Sequence, residues 1–378
     1  MITWSRTAPM ESQPSSGISH AEVWTSRRYA GDPGRAYEVD VRVGKTVDIV
    51  SLKHAVVEGF SAHLARVRES RIRIYSMGGT ERVEQCPICG TDSARSQPRL
   101  SVYGAHYHQC PECSHCFVLN RPTAASLQDF YSGDAQYAAT YTDKRAAETR
   151  VQQVAVPKVA WTVHHFERLY GRKPRYILDV GAGGGHFVYA CKQMGLEARG
   201  IELSEASREF CRKHFGFELD AADFAREWPA FSGAEVVTFW GVLEHVPDPM
   251  SLLRAARQLL AEAEQLIIAE VPRWISFSTA VQSAFPDSVV RHLDPLGHIH
   301  CFTDSSIATA FEQAGFGPVA AWYFGMDGYE LTMQIAHLLN DRRVVSILGK
   351  HIADLQHIID QGQLSDEIVL AGKPFAGL

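Results

Sequence analysis

The chain has 378 residues, 46% of them hydrophobic and 21% charged, a composition typical of a globular protein with room for two or three domains. Its net charge of -6 argues against a nucleic-acid partner, because phosphate binding needs a basic surface. No apolar run is long enough to span a membrane, and residues 1–17 lack the apolar segment of a secretory signal. We therefore expect a cytoplasmic protein with no membrane partner, and a disordered tail over residues 1–20.

Residues 21–80 are predicted to form a small α+β appendage. Apolar and polar residues alternate from Tyr37 to Ile49 around Gly44-Lys45, a pattern that predicts a hairpin. A helix from Ser51 to Val67 and a strand over Ile72–Tyr75 are expected next. The appendage carries no motif with a known chemistry, so its expected role is packing on the main domain or formation of a homodimer.

Residues 81–125 contain five of the eight cysteines, which indicates a metal site in a reducing compartment rather than a disulfide framework. Two Cys-x-x-Cys pairs are separated by 20 residues, and two such pairs can complete a tetrahedral zinc site with four thiolates. All four ligands would come from the protein, which predicts a closed, structural Zn²⁺ site. The predicted ligands are Cys86, Cys89, Cys110 and Cys113.

Neighbouring residues leave an alternative ligand set open. Cys116 and His115 could replace Cys113 on the metal, but Cys116 also begins an apolar segment and fits a buried position in a strand. For His106 and His108, surface or packing roles are favoured over ligation.

Residues 126–155 are predicted to be a helical linker, and residues 156–378 repeat a strand–helix pattern. Such alternation predicts a parallel sheet with helices on both faces. A helical insertion over residues 328–361 precedes the last strand. The strand candidates are Tyr176–Val180, Ala198–Glu202, Phe217–Ala221, Glu235–Trp240, Gln265–Val271, Val319–Phe324 and Ile368–Gly372.

A glycine-rich turn between the first strand and its helix is the main cofactor signal. It lets the backbone approach a nucleotide-like ligand, and Glu202 at the end of the next strand can accept hydrogen bonds from ribose hydroxyls. A dinucleotide fingerprint is incomplete here, because His186 occupies the third glycine position. The turn carries Asp179, Gly181, Gly183 and Gly185.

The turn's pattern, acidic-x-G-x-G-x-G, resembles motif I of the class I S-adenosylmethionine-dependent methyltransferases. In that family one acid lies near the methionine end and a second binds the ribose, positions that Asp179 and Glu202 match. The resemblance implies a Rossmann-like sheet of order 3-2-1-4-5-7-6. Its seventh strand, here Ile368–Gly372, would be antiparallel and lie between strands five and six.

Two further segments match the same family. Asp223-Phe224 follows the third strand, where an acid and an apolar residue contact adenine, although Asp223 also suits a helix cap. The segment from Phe239 to Pro249 resembles the motif that lines the methyl end of the cofactor. This match adds Trp240, Gly241 and Glu244 to the predicted cofactor contacts.

The cysteine segment resembles the zinc-binding segment at the N-terminus of many bacterial methyltransferases of sugar and natural-product pathways. The chain departs from that pattern at Ser114, where a glycine is usual, and by about 80 additional residues before the segment. Neither departure affects the four ligands, but the appendage has no counterpart in the family.

Three histidines are candidates for the base that would deprotonate a hydroxyl acceptor: His245 after the fourth strand, and His298 and His300 after the fifth. In an extended segment the last two would share a face. A structural hydrogen bond is the alternative for each of them. Thr303 is predicted to cap the next helix.

The long segment from Arg273 to Asp294 follows strand five and is a candidate substrate wall. Arg273, Trp274 and Arg291 could contact an acceptor, with the arginines meeting a phosphate or carboxylate; a packed loop is the alternative.

Together these patterns predict a methyltransferase for a small molecule, such as a sugar or natural-product intermediate, methylated at O, N or C. Two other functions stay open: an RNA methyltransferase that binds nucleic acid through its zinc segment, and a cofactor-binding scaffold without catalysis. The acidic net charge argues against the first, and the complete motif I argues against the second.

Overall fold

The structure is a computed structural model that describes residues 2–7, 19–28, 32–53, 59–126, 142–341 and 343–375. The strands are β1 (Thr3–Thr7), β2 (His20–Arg27), β3 (Arg35–Val43), β4 (Thr80–Arg82), β5 (Gln97–Val102), β6 (Ala105–Gln109), β7 (Cys116–Val118), β8 (Asn120–Pro122), β9 (Tyr176–Val180), β10 (Glu197–Ile201), β11 (Val236–Trp240), β12 (Leu266–Pro272), β13 (His300–Cys301), β14 (Phe316–Phe324) and β15 (Glu367–Pro374). The α-helices are α1 (Ile49–Leu52), α2 (Phe60–Ser76), α3 (Lys144–Arg150), α4 (Val156–Tyr170), α5 (His186–Gln193), α6 (Glu205–Phe215), α7 (Phe224–Glu227), α8 (Pro249–Leu259), α9 (Phe277–Ala284), α10 (Asp304–Gln313), α11 (Asp327–Leu338), α12 (Arg343–Leu348) and α13 (Ile352–Gln361). Residues 127–141 of the predicted linker lie outside the described residues.

A nine-stranded sheet forms the centre of the protein, in the order β1-β2-β3-β14-β15-β12-β11-β9-β10. Its strands β9 to β12 are parallel, and β15 runs antiparallel between β12 and β14, which confirms the predicted Rossmann-like arrangement. The third predicted strand, Phe217–Ala221, is reduced to a single bridge between Asp220 and Ile201. Two backbone hydrogen bonds of 2.8 and 2.9 Å still hold Asp220 at that edge.

The N-terminal strands extend this sheet, so several predictions for residues 1–80 were wrong. Residues 3–7 are not a disordered tail but form β1, which pairs with β2. The hairpin at Gly44-Lys45 is absent, because β3 pairs with β2 and, in parallel, with β14 instead of folding back on itself. Strand β3 therefore pairs with the edge of β14 that β15 does not cover. The alternating pattern of β3 predicts a strand but does not specify this partner.

Residues 72–75 are helical rather than extended and belong to α2. Apolar residues at helical spacing on α2 are buried. This packing stabilises the helix through residues 72–75, although the β-branched residues there favour a strand. The buried apolar residues are Phe60, Leu64 and Val67.

A second sheet of four strands, β13-β7-β6-β5, carries the cysteine segment. Its edge strand β13 comes from the main domain, where His300 and Cys301 pair with Phe117 and Cys116. The segment is thereby hydrogen-bonded to the polypeptide between strands five and six of the Rossmann-like domain. No helix among the described residues is long and apolar enough to cross a membrane.

Candidate functional site

A cavity of about 1000 Å³ opens where the carboxyl ends of β9, β11 and β12 meet. This edge is where open α/β sheets bind ligands. The glycine-rich turn and the segment after β11 form one wall. Residues 42–53 and α2 of the appendage form another, and the insertion helices α11 and α13 form a third. The helical insertion before the last strand therefore contributes to the cavity wall.

The turn strongly favours glycine at two positions. Gly181 has φ +76°, and a Cβ there would lie 2.5 Å from Val242 Cγ2. Gly185 has φ +80°, and a Cβ there would lie 2.5 Å from Cys211 Sγ. Left-handed conformation and close packing together explain the glycines. Gly181 and Gly183 line the cavity, whereas Gly185 packs behind it against α6.

Glu202 holds this turn in place from the neighbouring strand. One carboxylate oxygen accepts the backbone N–H of Gly183 at 2.8 Å, and the other accepts the backbone N–H of Ser204 at 2.7 Å. Burial raises the pKa of Glu202, while these two backbone donors oppose that shift. The carboxylate thus ties β10 to the cavity-lining turn, and it lies behind the turn rather than in the cavity wall.

Asp179, at the end of β9, lines the cavity and is almost completely buried. Its carboxylate accepts a 2.8 Å hydrogen bond from Thr238 Oγ1 of the adjacent strand. Burial raises the pKa of Asp179 to about 7, because the charged form loses its hydration.

The segment after β11 presents polar atoms that have no partner among the described residues. Trp240 Nε1 and Glu244 Oε2 are both buried without a hydrogen bond, and both residues line the cavity together with Gly241. Burial raises the pKa of Glu244 to about 8. Buried polar groups are normally paired, so these atoms fit a cavity whose ligand supplies their partners.

Asp223 and Phe224 do not line the cavity. Asp223 is half exposed and caps α7, accepting the Ala225 N–H at 3.2 Å, which is the alternative that its position left open. Phe224 is buried in the core, with its ring centroid 5.9 Å from that of Phe239. Both residues lie on the side of the sheet where the third strand is reduced to a bridge.

Two of the three candidate histidines meet in the cavity wall. The rings of His245 and His298 have centroids 5.2 Å apart. His245 Nδ1 lies 2.5 Å from the Gly297 carbonyl oxygen, and His298 Nδ1 lies 2.9 Å from the His292 carbonyl oxygen. Since a carbonyl only accepts, each Nδ1 carries the proton, and each Nε2 has a lone pair.

His300 is not part of this wall. It is fully buried, with Nε2 2.9 Å from the Val246 carbonyl oxygen and Nδ1 3.2 Å from His115 Nε2. The segment is extended only at His300–Cys301, so the expected shared face with His298 does not form. His300 therefore links the cysteine segment to the main domain.

Of the three substrate candidates after strand five, one lines the cavity and two do not. Arg273 is buried, and its guanidinium is satisfied by Asp304 and by two backbone carbonyls. Trp274 packs with its ring centroid 5.9 Å from that of Tyr107. Neither lines the cavity, so the packed-loop alternative holds for both. Arg291 lines the cavity, but it is paired with three carboxylates.

Several cavity residues carry no signal in the sequence. Lys158 on α4 lies 2.6 Å from Glu270, and its ammonium is 4.6 Å from the centre of the Trp240 ring. Lys45 and Lys53 come from the appendage. These lysines belong to segments whose sequence patterns indicate packing alone, and only the tertiary fold brings them to the cavity.

The four predicted zinc ligands converge on one point. Cys86 and Cys113 have sulfurs 3.6 Å apart, Cys89 and Cys110 have sulfurs 3.5 Å apart, and all four lie within 4.8 Å of one another. Sulfurs around a tetrahedral zinc at about 2.3 Å are separated by about 3.8 Å. The donor set and its geometry therefore fit Zn²⁺.

The alternative ligands are engaged elsewhere. Cys116 is buried at the start of β7, as the strand interpretation predicts. His115 lies between Ser306 and His300, with its ring nitrogens 3.4 and 3.2 Å from them. Ser114, at the usual glycine position, has φ +59°, and its hydroxyl donates to the Cys113 carbonyl at 2.6 Å.

The fold and the cavity define a Rossmann-like methyltransferase, and comparison with known proteins agrees. A family model described as a methyltransferase domain matches residues 156–321. The ubiquinone biosynthesis O-methyltransferase of Bordetella avium is 32% identical over 184 residues, covering 46% of this chain and 71% of that protein. The enzyme of the same name from Stutzerimonas stutzeri is 31% identical over 137 residues, covering 35% of this chain and 57% of that protein.

Among solved structures, an S-adenosylmethionine-dependent methyltransferase of Archaeoglobus fulgidus aligns with a TM-score of 0.40 and 16% identity, covering 64% of this chain and 100% of that one. The chain spans only 57% of the length of the Stutzerimonas relative. From the Bordetella match and the family model, the chain belongs to the class I S-adenosylmethionine-dependent methyltransferases.

Proposed function

We propose that the protein transfers a methyl group from S-adenosylmethionine to a small molecule. The observation that carries the proposal is the turn of Gly181 and Gly183, held by Glu202, facing the unpaired buried atoms of Trp240 and Glu244 across one cavity. A tight glycine turn beside a strand end, with Gly181 and Gly183 in the cavity wall, lets a nucleoside cofactor approach the backbone closely. A volume of about 1000 Å³ leaves room for a small acceptor beside it.

The cofactor, when bound, supplies an electrophilic sulfonium methyl group. The residues of the cavity wall would position the two reactants and exclude water, which is the main requirement for an in-line displacement. Asp179 and Glu244 are buried acids, and burial raises the pKa of each toward neutrality. Each can therefore donate or accept a hydrogen bond near neutral pH.

His245 and His298 are the residues suited to take a proton from a hydroxyl acceptor. Burial lowers the pKa of both, which keeps the rings neutral at physiological pH. In each ring Nδ1 is fixed by a backbone carbonyl, so Nε2 is the basic atom. The curated relatives are named O-methyltransferases, which favours a hydroxyl oxygen as the accepting atom. A sugar or natural-product intermediate is the acceptor class we favour.

Cofactor binding can be tested by isothermal titration calorimetry with S-adenosylhomocysteine on zinc-loaded protein. We expect saturable binding with one site per chain. A titration without binding, in protein that unfolds cooperatively, would refute the proposed function.

We also propose that Cys86, Cys89, Cys110 and Cys113 hold one structural Zn²⁺. The sulfur-only donor set leaves no position for a substrate, so the ion would stabilise the segment rather than catalyse. Metal analysis of unstripped protein should give about one zinc per chain. Cys86→Ser should lose it, whereas the matched control Cys116→Ala, which removes a nearby buried thiol outside the cluster, should retain it. A wild-type zinc content near zero would contradict the proposal.

A further inference from the structure

The appendage forms the wall of the cavity on the side away from the glycine-rich turn. Strand β3 lies beyond β14 and β15, while the turn follows β9 at the other end of the parallel strands. The end of β3 and residues 44–53, which follow it, therefore reach the part of the cavity that the glycine-rich turn does not line. If the proposed function holds, this part receives the acceptor.

Three of the cations in the cavity wall are paired with carboxylates. Arg71 donates two hydrogen bonds, of 2.8 and 2.6 Å, to Asp294. Lys158 lies 2.6 Å from Glu270. Arg291 pairs with three carboxylates on α11 and at the start of β15. The charges of these side chains are already balanced within the protein.

Lys53 differs from them. It lines the cavity and is half-buried, and its ammonium has no hydrogen bond or ion pair with any described residue. Among the described residues, it faces the guanidinium groups of Arg150 and Arg291, the imidazole of His63 and the carboxylate of Glu330. That carboxylate already accepts hydrogen bonds from Arg291 and Gln282. Lys53 thus lies beside two other cations, and its ammonium has no carboxylate partner among the described residues.

Lys45, on the same wall, has different surroundings. Its ammonium lies 3.7 Å from the centre of the Phe324 ring, and it faces the ammonium of Lys158 together with three carboxylates, those of Glu270, Glu367 and Asp360. An anion approaching Lys45 would meet these acids, whereas an anion approaching Lys53 would meet arginines. The position at Lys53 is therefore the one that favours an anion.

We propose that the acceptor carries an anionic group, a carboxylate or a phosphate, and that Lys53 binds it. This inference rests on the proposed function, since it assigns a substrate class to the same cavity. An ammonium and a guanidinium together recognise either anion through charge-assisted hydrogen bonds. The appendage then has a role in acceptor specificity rather than in packing alone.

A proton-linked signal should accompany binding. Burial, together with Arg150 and Arg291, lowers the pKa of Lys53 to about 7 in the ligand-free protein. A bound anion favours the charged form and raises that pKa. At pH 8 the ligand-free lysine is therefore mostly neutral, and anion binding should take up most of one proton.

The test is calorimetry on protein saturated with S-adenosylhomocysteine, with benzoate, inorganic phosphate and the uncharged analogue benzamide as probes. Wild-type protein should bind benzoate or phosphate at least about tenfold more tightly than benzamide, and the preferred anion identifies the group. Titrations at pH 8 in buffers of different ionisation enthalpy measure the proton uptake.

Three variants locate the effect. Lys53→Met should abolish both the anion preference and the proton uptake. Lys53→Arg should keep the preference for an anion but take up no proton on binding, because arginine is already charged at pH 8. Lys350→Met, at an exposed lysine that does not line the cavity, should behave as wild type. Equal binding of all three probes, or an unchanged preference in Lys53→Met, would overturn the inference. Absent binding of S-adenosylhomocysteine would instead refute the proposed function.

Discussion

Gly181 offers the sharpest test of the site geometry. In Gly181→Ala the new Cβ would lie 2.5 Å from Val242 Cγ2, at a residue with φ +76°. Gly195→Ala is the matched control, since Gly195 has φ +75° and a Cβ added there would meet no atom within 4 Å. Both variants place an alanine in the left-handed conformation, which costs about 1–2 kcal/mol. The difference between their free energies of unfolding therefore isolates the contact with Val242.

Overpacking costs about 1–3 kcal/mol in well-packed sites, and Val242 is only half-buried, which favours the lower half of that range. We expect Gly181→Ala to be about 1–2 kcal/mol less stable than Gly195→Ala in urea unfolding. In a domain of this size the melting temperature would be about 2–8 °C lower. In a Val242→Ala background the two glycine variants should become equivalent. Equal losses for both glycines in the wild-type background would refute the packing argument.

Three further variants test charged groups in and next to the cavity wall. Glu202→Ala removes the acceptor of the Gly183 N–H and should weaken S-adenosylhomocysteine binding by about 1.5–3 kcal/mol. An unchanged affinity in calorimetry would contradict a role of Glu202 in holding the turn for the cofactor. Arg71→Met leaves the carboxylate of Asp294 without its main partner and should lower the free energy of unfolding by about 3–5 kcal/mol. Adding Asp294→Asn should recover part of this loss. A loss below about 1 kcal/mol in Arg71→Met would count against a stabilising role of the buried ion pair. Because burial raises the pKa of Glu244 from 4.5 to about 8, its protonated form stabilises the fold, and that stability is lost as pH rises between these values. Glu244→Gln should therefore lose less stability than wild type between pH 5 and pH 8, and parallel pH profiles would argue against a buried carboxyl group.

The sequence was most informative where local spacing dictates geometry. The glycine-rich turn, the two Cys-x-x-Cys pairs and the cap of α10 at Thr303 each depend on residues close in the chain, and the structure places each as predicted. The antiparallel last strand also followed from the family resemblance, and the sheet order confirms it.

Predictions were wrong where a segment's partner lies far away in the chain. The alternating pattern of Tyr37–Val43 specifies a strand but not its neighbour, and the neighbour is β14, more than 270 residues later. Likewise Arg273 and His300 looked like site residues because of their position after strands. Their side chains point into packed interfaces, and only the tertiary contacts with Asp304 and His115 decide that.

The sequence by itself therefore determined the class of fold, the glycine-rich turn and the cluster of four cysteines, because each is encoded by residue types at short, fixed spacings. The tertiary structure decided which charged side chains face the cavity. The appendage joins the central sheet at β14, and that pairing brings Lys45 and Lys53 to a site formed by residues 100 to 300 positions away. Long-range strand pairing depends on which edges are left unpaired, and no local pattern of residues records that.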